Sequence, residues 1–118
     1  MTSKEMAMLS AEILDNKKAL DIVVIDIGEK SSFADYFVLA SGNTERQISA
    51  LRDEVEDQFA KEGMMIKNIE GKQTSGWILM DCGDVIVNIL TSDMRARYQI
   101  ERIWGDCEII HVGDEHAE

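Results

Sequence analysis

The stretch that decides the fold runs Trp77-Ile78-Leu79-Met80-Asp81-Cys82-Gly83-Asp84-Val85-Ile86-Val87-Asn88-Ile89-Leu90. Two apolar runs meet at Asp81-Cys82-Gly83-Asp84, a cluster of turn-forming residues, which predicts a tight hairpin between strands at 77–80 and 85–90. Neither run alternates cleanly between apolar and polar residues. Continuous apolarity requires cover on both faces, so the hairpin belongs in the middle of a sheet or beneath a partner.

Working upstream, 64–69 has the residue types of a third strand, and Gly63 before it ends a helix whose stripe is Ile48, Leu51, Val55 and Phe59. Ser41-Gly42-Asn43-Thr44 supplies the turn and cap at the start of that helix. Two strands precede it, at 22–27 and 36–40, with Gly28 and the polar run Glu29-Lys30-Ser31-Ser32 between them. The chain opens with a helix to about residue 18, signalled by a capping box at Thr2 and Glu5 and by Met6, Leu9 and Ile13 at helical spacing. Downstream of the hairpin, Ser92 and Asp93 start a helix that carries Arg95, Arg97 and Arg102 through Trp104 to Gly105. The order α-β-β-α-β-β-β-α predicts an α/β (α+β) fold, with a single mixed five-stranded sheet and flanking helices. Residues 1–105 form one domain in this reading, and 106–118 an acidic, loosely attached C-terminal tail.

A length of 118 residues suits one core, and 45% apolar with 30% charged residues is a balance that folds without help. No apolar run approaches the roughly 20 residues needed to cross a bilayer, and the mixed charges of the first 20 residues are unlike a targeting peptide. The expected location is cytoplasmic, where Cys82 and Cys107 stay free thiols. Twenty-three acidic against 12 basic side chains, a net charge of −11, oppose a phosphate-tracking surface, so direct nucleic-acid binding is not expected. The same charge favours a basic protein partner.

The inventory for chemistry is poor. Asp81 and Asp84 flank the hairpin tip as two carboxylates that share a proton or metal in some enzymes, but aspartate is also a favoured turn residue, and turn chemistry is the stronger reading. Cys107, His111 and His116 have ligand-type side chains without a Cys-x-x-Cys pair, a weak zinc signal. Those two histidines are the only ones, which leaves no Ser-His or Cys-His pair elsewhere. Ser41–Thr44 joins a strand to a helix start where a phosphate can sit, yet it lacks the lysine of a P-loop. No cofactor, metal or catalytic residue is therefore assigned. Trp104 shares a helical face with Ile100 and reads as core, whereas Trp77 follows Thr74-Ser75-Gly76 and divides evenly between core and contact.

Several segments together resemble one family: Asp35-Tyr36-Phe37-Val38 with Ser41-Gly42, then Glu70-Gly71, Trp77-Ile78-Leu79-Met80-Asp81, Gly83-Asp84-Val85, and Arg97-Tyr98 with Glu101 and Trp104. In this order and spacing the chain resembles the Iojap family, the ribosomal silencing factors, from the first helix to Trp104. The resemblance implies a nucleotidyltransferase-like fold without the catalytic acidic motif, found as a homodimer. It also implies binding to the intersubunit face of the large ribosomal subunit, through the large-subunit protein numbered fourteen. A factor bound there blocks subunit joining and represses translation under nutrient limitation. By position, the partner-binding residues it implies are Trp77, Ile78, Met80, Asp81, Gly83, Tyr98 and Glu101. Two departures stand out: Asn88 where many members have histidine, and Lys67 where proline is common, neither expected to touch the contact strand. The rival reading is a nucleotide-binding or nucleotidyltransferase-like enzyme built around the Ser41–Thr44 turn.

Overall fold

In the computed structural model, residues 1–113 are described, and they form one six-stranded sheet between two unequal helical layers. Its centre is the second half of the hairpin. Strand β5 (Val85–Thr91) is buried at every position up to Leu90, as its unbroken apolar sequence demands. On one side it pairs antiparallel with β4 (Trp77–Asp81), and on the other it runs parallel to β2 (Tyr36–Gly42). The antiparallel neighbours β1 (Leu20–Asp26) and β3 (Asn68–Glu70) extend the sheet in the two directions. The hairpin turn is closed by backbone and side chain together: Gly83 adopts φ +92° while its N–H donates to Asp81 Oδ1 at 2.9 Å.

Beyond β1 lies a strand the sequence reading does not contain. β6 (Glu108–Val112) pairs antiparallel with β1 from Ile22↔Val112 to Asp26↔Glu108, giving the order β3-β4-β5-β2-β1-β6 and six strands instead of five. Residues 108–112 are thus hydrogen-bonded into the sheet rather than loosely attached. Ile110 and Val112 pack on one core and Ile109 on the other, so a short β-branched run decides the matter over the acidic residues around it.

Helices α1 (Ser3–Asn16) and α2 (Glu45–Lys61) cover one face of the sheet. The capping box at Thr2 and Glu5 forms as expected, with reciprocal bonds of 2.8 and 3.0 Å. α1 stops two residues short of the expected end because Lys18 turns left-handed. In α2 the whole predicted stripe of Ile48, Leu51, Val55 and Phe59 is buried, each side chain contributing about 1.5–3 kcal/mol on leaving water. Met64 N–H still bonds back to Phe59 O, which delays β3 to Asn68, four residues later than predicted.

The opposite face is covered by less: α3 (Ser92–Tyr98) and a 3₁₀ helix over Ile100–Trp104. A single helix through Trp104 was the expectation. It breaks because Gln99 takes φ +47°, and the N-cap is Thr91 rather than Ser92 or Asp93. Trp104 packs edge-on against Phe37 at 5.6 Å in the same core cluster as Ile100, in line with its core reading.

Candidate functional site

Side chains of a strand alternate between faces, and β4 follows that rule strictly. Ile78 and Met80 point toward α1 and α2 and are fully buried, so neither presents a side chain to a partner, contrary to the expectation for these two positions. Trp77, Leu79 and Asp81 point the other way and are partly exposed. The pattern that betrays this in the sequence is the phase of the strand, which a run of five apolar or mixed residues hides.

Trp77 is held from three sides. Its Nε1–H donates to Asn88 Oδ1 at 3.0 Å, and its ring lies 5.4 Å from that of Tyr98, tilted by 47°. Its carbonyl accepts from Ser75 Oγ at 3.1 Å, within the 3₁₀ turn Gln73–Ser75 that leads into the strand. Tyr98, at the last position of α3, remains 51% exposed. Beside this pair opens a cleft of about 300 Å³ lined by Glu70, Gly71, Ser75, Trp77, Leu79 and Met94. Leu79 and Met94 give it a mainly apolar floor of the kind that accepts a partner's side chain.

Both departures from the family pattern touch β4. Asn88 anchors the Trp77 indole, and the Lys67 N–H donates to Asp81 O at 2.8 Å, a bond that a proline there cannot make. Sequence reasoning missed them because they approach across the sheet, from residues distant in the chain.

Asp81 and Gly83 lie at the far end of β4 from Trp77, about 13 Å along the strand by its rise per residue. There the Asp81 carboxylate serves the hairpin turn, and Asp84 O accepts from the Asp35 and Tyr36 N–H groups. Turn chemistry thus occupies the Asp81 carboxylate, while Asp84 ties the turn to β2 through its backbone carbonyl. Glu101 faces a different cavity, where its Oε2 accepts from Arg95 Nε at 3.0 Å and forms an ion pair with Nη2 at 2.8 Å. Partial burial raises the Glu101 pKa, but the hydrogen bond and charge of Arg95 outweigh it and leave the group below the usual carboxylate range.

Other candidates resolve into structural roles. Thr44 caps α2 by accepting from Gln47 N–H at 3.0 Å, and the Gln47 side-chain Oε1 accepts from Asn43 N–H at 2.8 Å, so Asn43 and Thr44 of the turn are spent on capping while Ser41 Oγ meets Arg95. Cys82 is a free buried thiol pushed up to about 12, first by burial and then by Asp81. Among the described residues no three His, Cys, Asp or Glu side chains are grouped to hold a metal ion, and His116 lies outside them. No helix among them is long and apolar enough to cross a membrane.

A family model described as "Ribosomal silencing factor during starvation" matches residues 1–118. The chain belongs to that family. The match includes the segment after Gly105, in keeping with β6 as part of the sheet. Ribosomal silencing factors of Bacillus subtilis and Haemophilus influenzae are 36% identical over 109 residues and 40% identical over 93; the first alignment covers 92% of each chain, the second 79% of this chain and 91% of the relative. A crystal structure of a Chromobacterium violaceum protein superposes with TM-score 0.85 at 31% identity, covering 98% of both chains. Ribosomal silencing factors are regulators that associate with ribosomes and not enzymes, which agrees with a site built from aromatic contacts.

Proposed function

We propose that this chain represses translation under nutrient limitation by binding the intersubunit face of the large ribosomal subunit, through its protein L-fourteen, and sterically blocking the small subunit. It acts in the cytoplasm, as a homodimer, and without turnover. The observation that carries this reading is the Trp77–Tyr98 pair, an amphipathic aromatic surface beside an apolar cleft. Tryptophan and tyrosine dominate binding hot spots because they bury large area at little rotamer cost. The charge of −11 adds long-range attraction to a basic ribosomal protein, speeding encounter, while the aromatic pair slows release. The contact surface becomes Trp77, Leu79, Met94 and Tyr98, with Asp81 at the end of the same strand and Gly83 in the turn beyond it. Phe33 and Ile103 stand exposed beside the Phe37–Trp104 pair and leave apolar surface for the second copy of the dimer.

The test is co-sedimentation of purified protein with isolated large subunits, together with a subunit-joining assay. Trp77→Ala is expected to weaken binding by roughly 30-fold, the scale of losing about 2 kcal/mol at a hot spot, and to restore joining. A folded Trp77→Ala protein that sediments and blocks joining like the parent removes this surface from the function.

A further inference from the structure

At the end of the sheet opposite the hairpin turn, one buried arginine ties three segments together. Arg95, in the middle of α3, is 8% exposed. Its Nη1 donates to Ser41 Oγ at 2.9 Å, and Ser41 is itself fully buried at the end of β2. Its Nε donates to Glu101 Oε2, and Nη2 forms an ion pair with the same oxygen. Between Arg95 and Glu101 the chain passes Tyr98 and then the left-handed Gln99, whose N–H returns to Arg95 O at 3.1 Å. A seven-residue helix ending in a strained non-glycine bend does not hold its shape by propensity. The guanidinium fork supplies what the helix lacks, because its donors fix direction as well as distance.

Resting on the ribosome-binding reading above, we propose that Arg95 and Glu101 are positioning residues for the aromatic contact surface. The Ser41–Arg95–Glu101 network fixes the Gln99 bend, and the bend places Tyr98 against Trp77. Glu101 therefore acts on the partner through Tyr98 and does not touch it. The cavity beside the network, about 420 Å³ and shared by Asp21 and Arg102, is no ready anion site, since Glu101 already meets the Arg95 charge.

The test separates geometry from contact by comparing Glu101→Ala, Glu101→Gln and Arg95→Lys. Nuclear Overhauser effects between the Trp77 and Tyr98 rings report the geometry in the free protein, and affinity for large subunits reports binding. Glu101→Ala and Arg95→Lys are expected to lose the ring-to-ring effects and to weaken binding by up to about tenfold, the scale of ordering a side chain on association. Glu101→Gln keeps an amide oxygen for Arg95, so it is expected to retain both. Two results overturn the proposal: ring-to-ring effects that persist in folded Glu101→Ala, or a Glu101→Gln protein with native ring geometry and Ala-like loss of binding. Should Glu101→Ala not fold, Ser41→Ala removes one bond of the same network and must loosen the ring pair. The ring measurement needs no ribosome, so it stands even if Trp77→Ala were to show that the surface binds something else.

Discussion

Asn88 is 1% exposed, and its two polar atoms fare differently. Oδ1 holds the Trp77 indole, while Nδ2 has no hydrogen-bond partner among the described residues. Replacing Asn88 by Leu removes a useful acceptor and an orphaned donor at once, and Trp77 itself is only partly buried. We expect Asn88→Leu to change stability by no more than about 1 kcal/mol while loosening Trp77, seen as a red-shifted emission with a nearly unchanged urea midpoint. A loss above roughly 3 kcal/mol would show that the pair is a structural bond first. The composition of residues 77–90 announces a buried hairpin, yet the sequence is silent on this contact. Asn88 and Trp77 are eleven positions apart, and only the antiparallel register of β4 on β5, which sets Trp77 opposite Leu90 and Asn88 opposite Leu79, brings them together as diagonal neighbours.

At the scale of elements, the approach of the chain to β4 is as specific as the strand itself. Gly71 has φ +84°, and a Cβ built there would overlap the Trp77 carbonyl oxygen, a backbone atom that cannot step aside. Gly71→Ala is expected to cost about 3 kcal/mol or more, from strain and clash together, and to shift the Trp77 resonances in a heteronuclear spectrum. A melting temperature equal to the parent's would contradict the close approach. The two long helices were legible because capping and the stripe of α2 are local signals. The break at Gln99 was not, because it accompanies an Arg95 side chain that bonds both Glu101 and Ser41, the latter far away in sequence on β2. β6 was missed for a related reason: its two isoleucines and valine are few among acidic residues, and β1 supplies the edge that makes them a strand.

For the whole molecule, the excess of carboxylates sets the response to acid. The Thr2 backbone N–H lowers the pKa of Glu5, the Lys30 side chain lowers that of Asp106, and Arg95 lowers that of Glu101 against the opposing effect of burial. Groups with depressed folded-state values stabilise fully above their ordinary values, 4.5 for glutamate and 3.8 for aspartate, and lose that stabilisation as pH falls through the folded ones. Around Glu101 the charged and titratable neighbours are Arg95, Arg102, Asp21 and His111. Thermal melts are expected to be nearly level from pH 7 to about 5 and to fall below about 4.5, with a shallower fall in Glu101→Gln. A melting temperature that rises on acidification to pH 3.5 would refute the assignment.

The fold class, the two long helices, the buried hairpin and the acidic character were legible along the chain, because helical stripes, caps, apolar runs and charge are written in neighbouring residues. The sequence also carried the family resemblance, through Trp77, Tyr98 and the residues spaced around them. Only the tertiary structure decided which side of β4 faces outward, so that Trp77 and Leu79 line the surface while Ile78 and Met80 fill the core. It alone showed Glu101 paired with Arg95 and brought residues 108–112 into the sheet. Strand phase, buried ion pairs and edge pairing depend on what lies across from a residue, and the linear order of a chain does not state that.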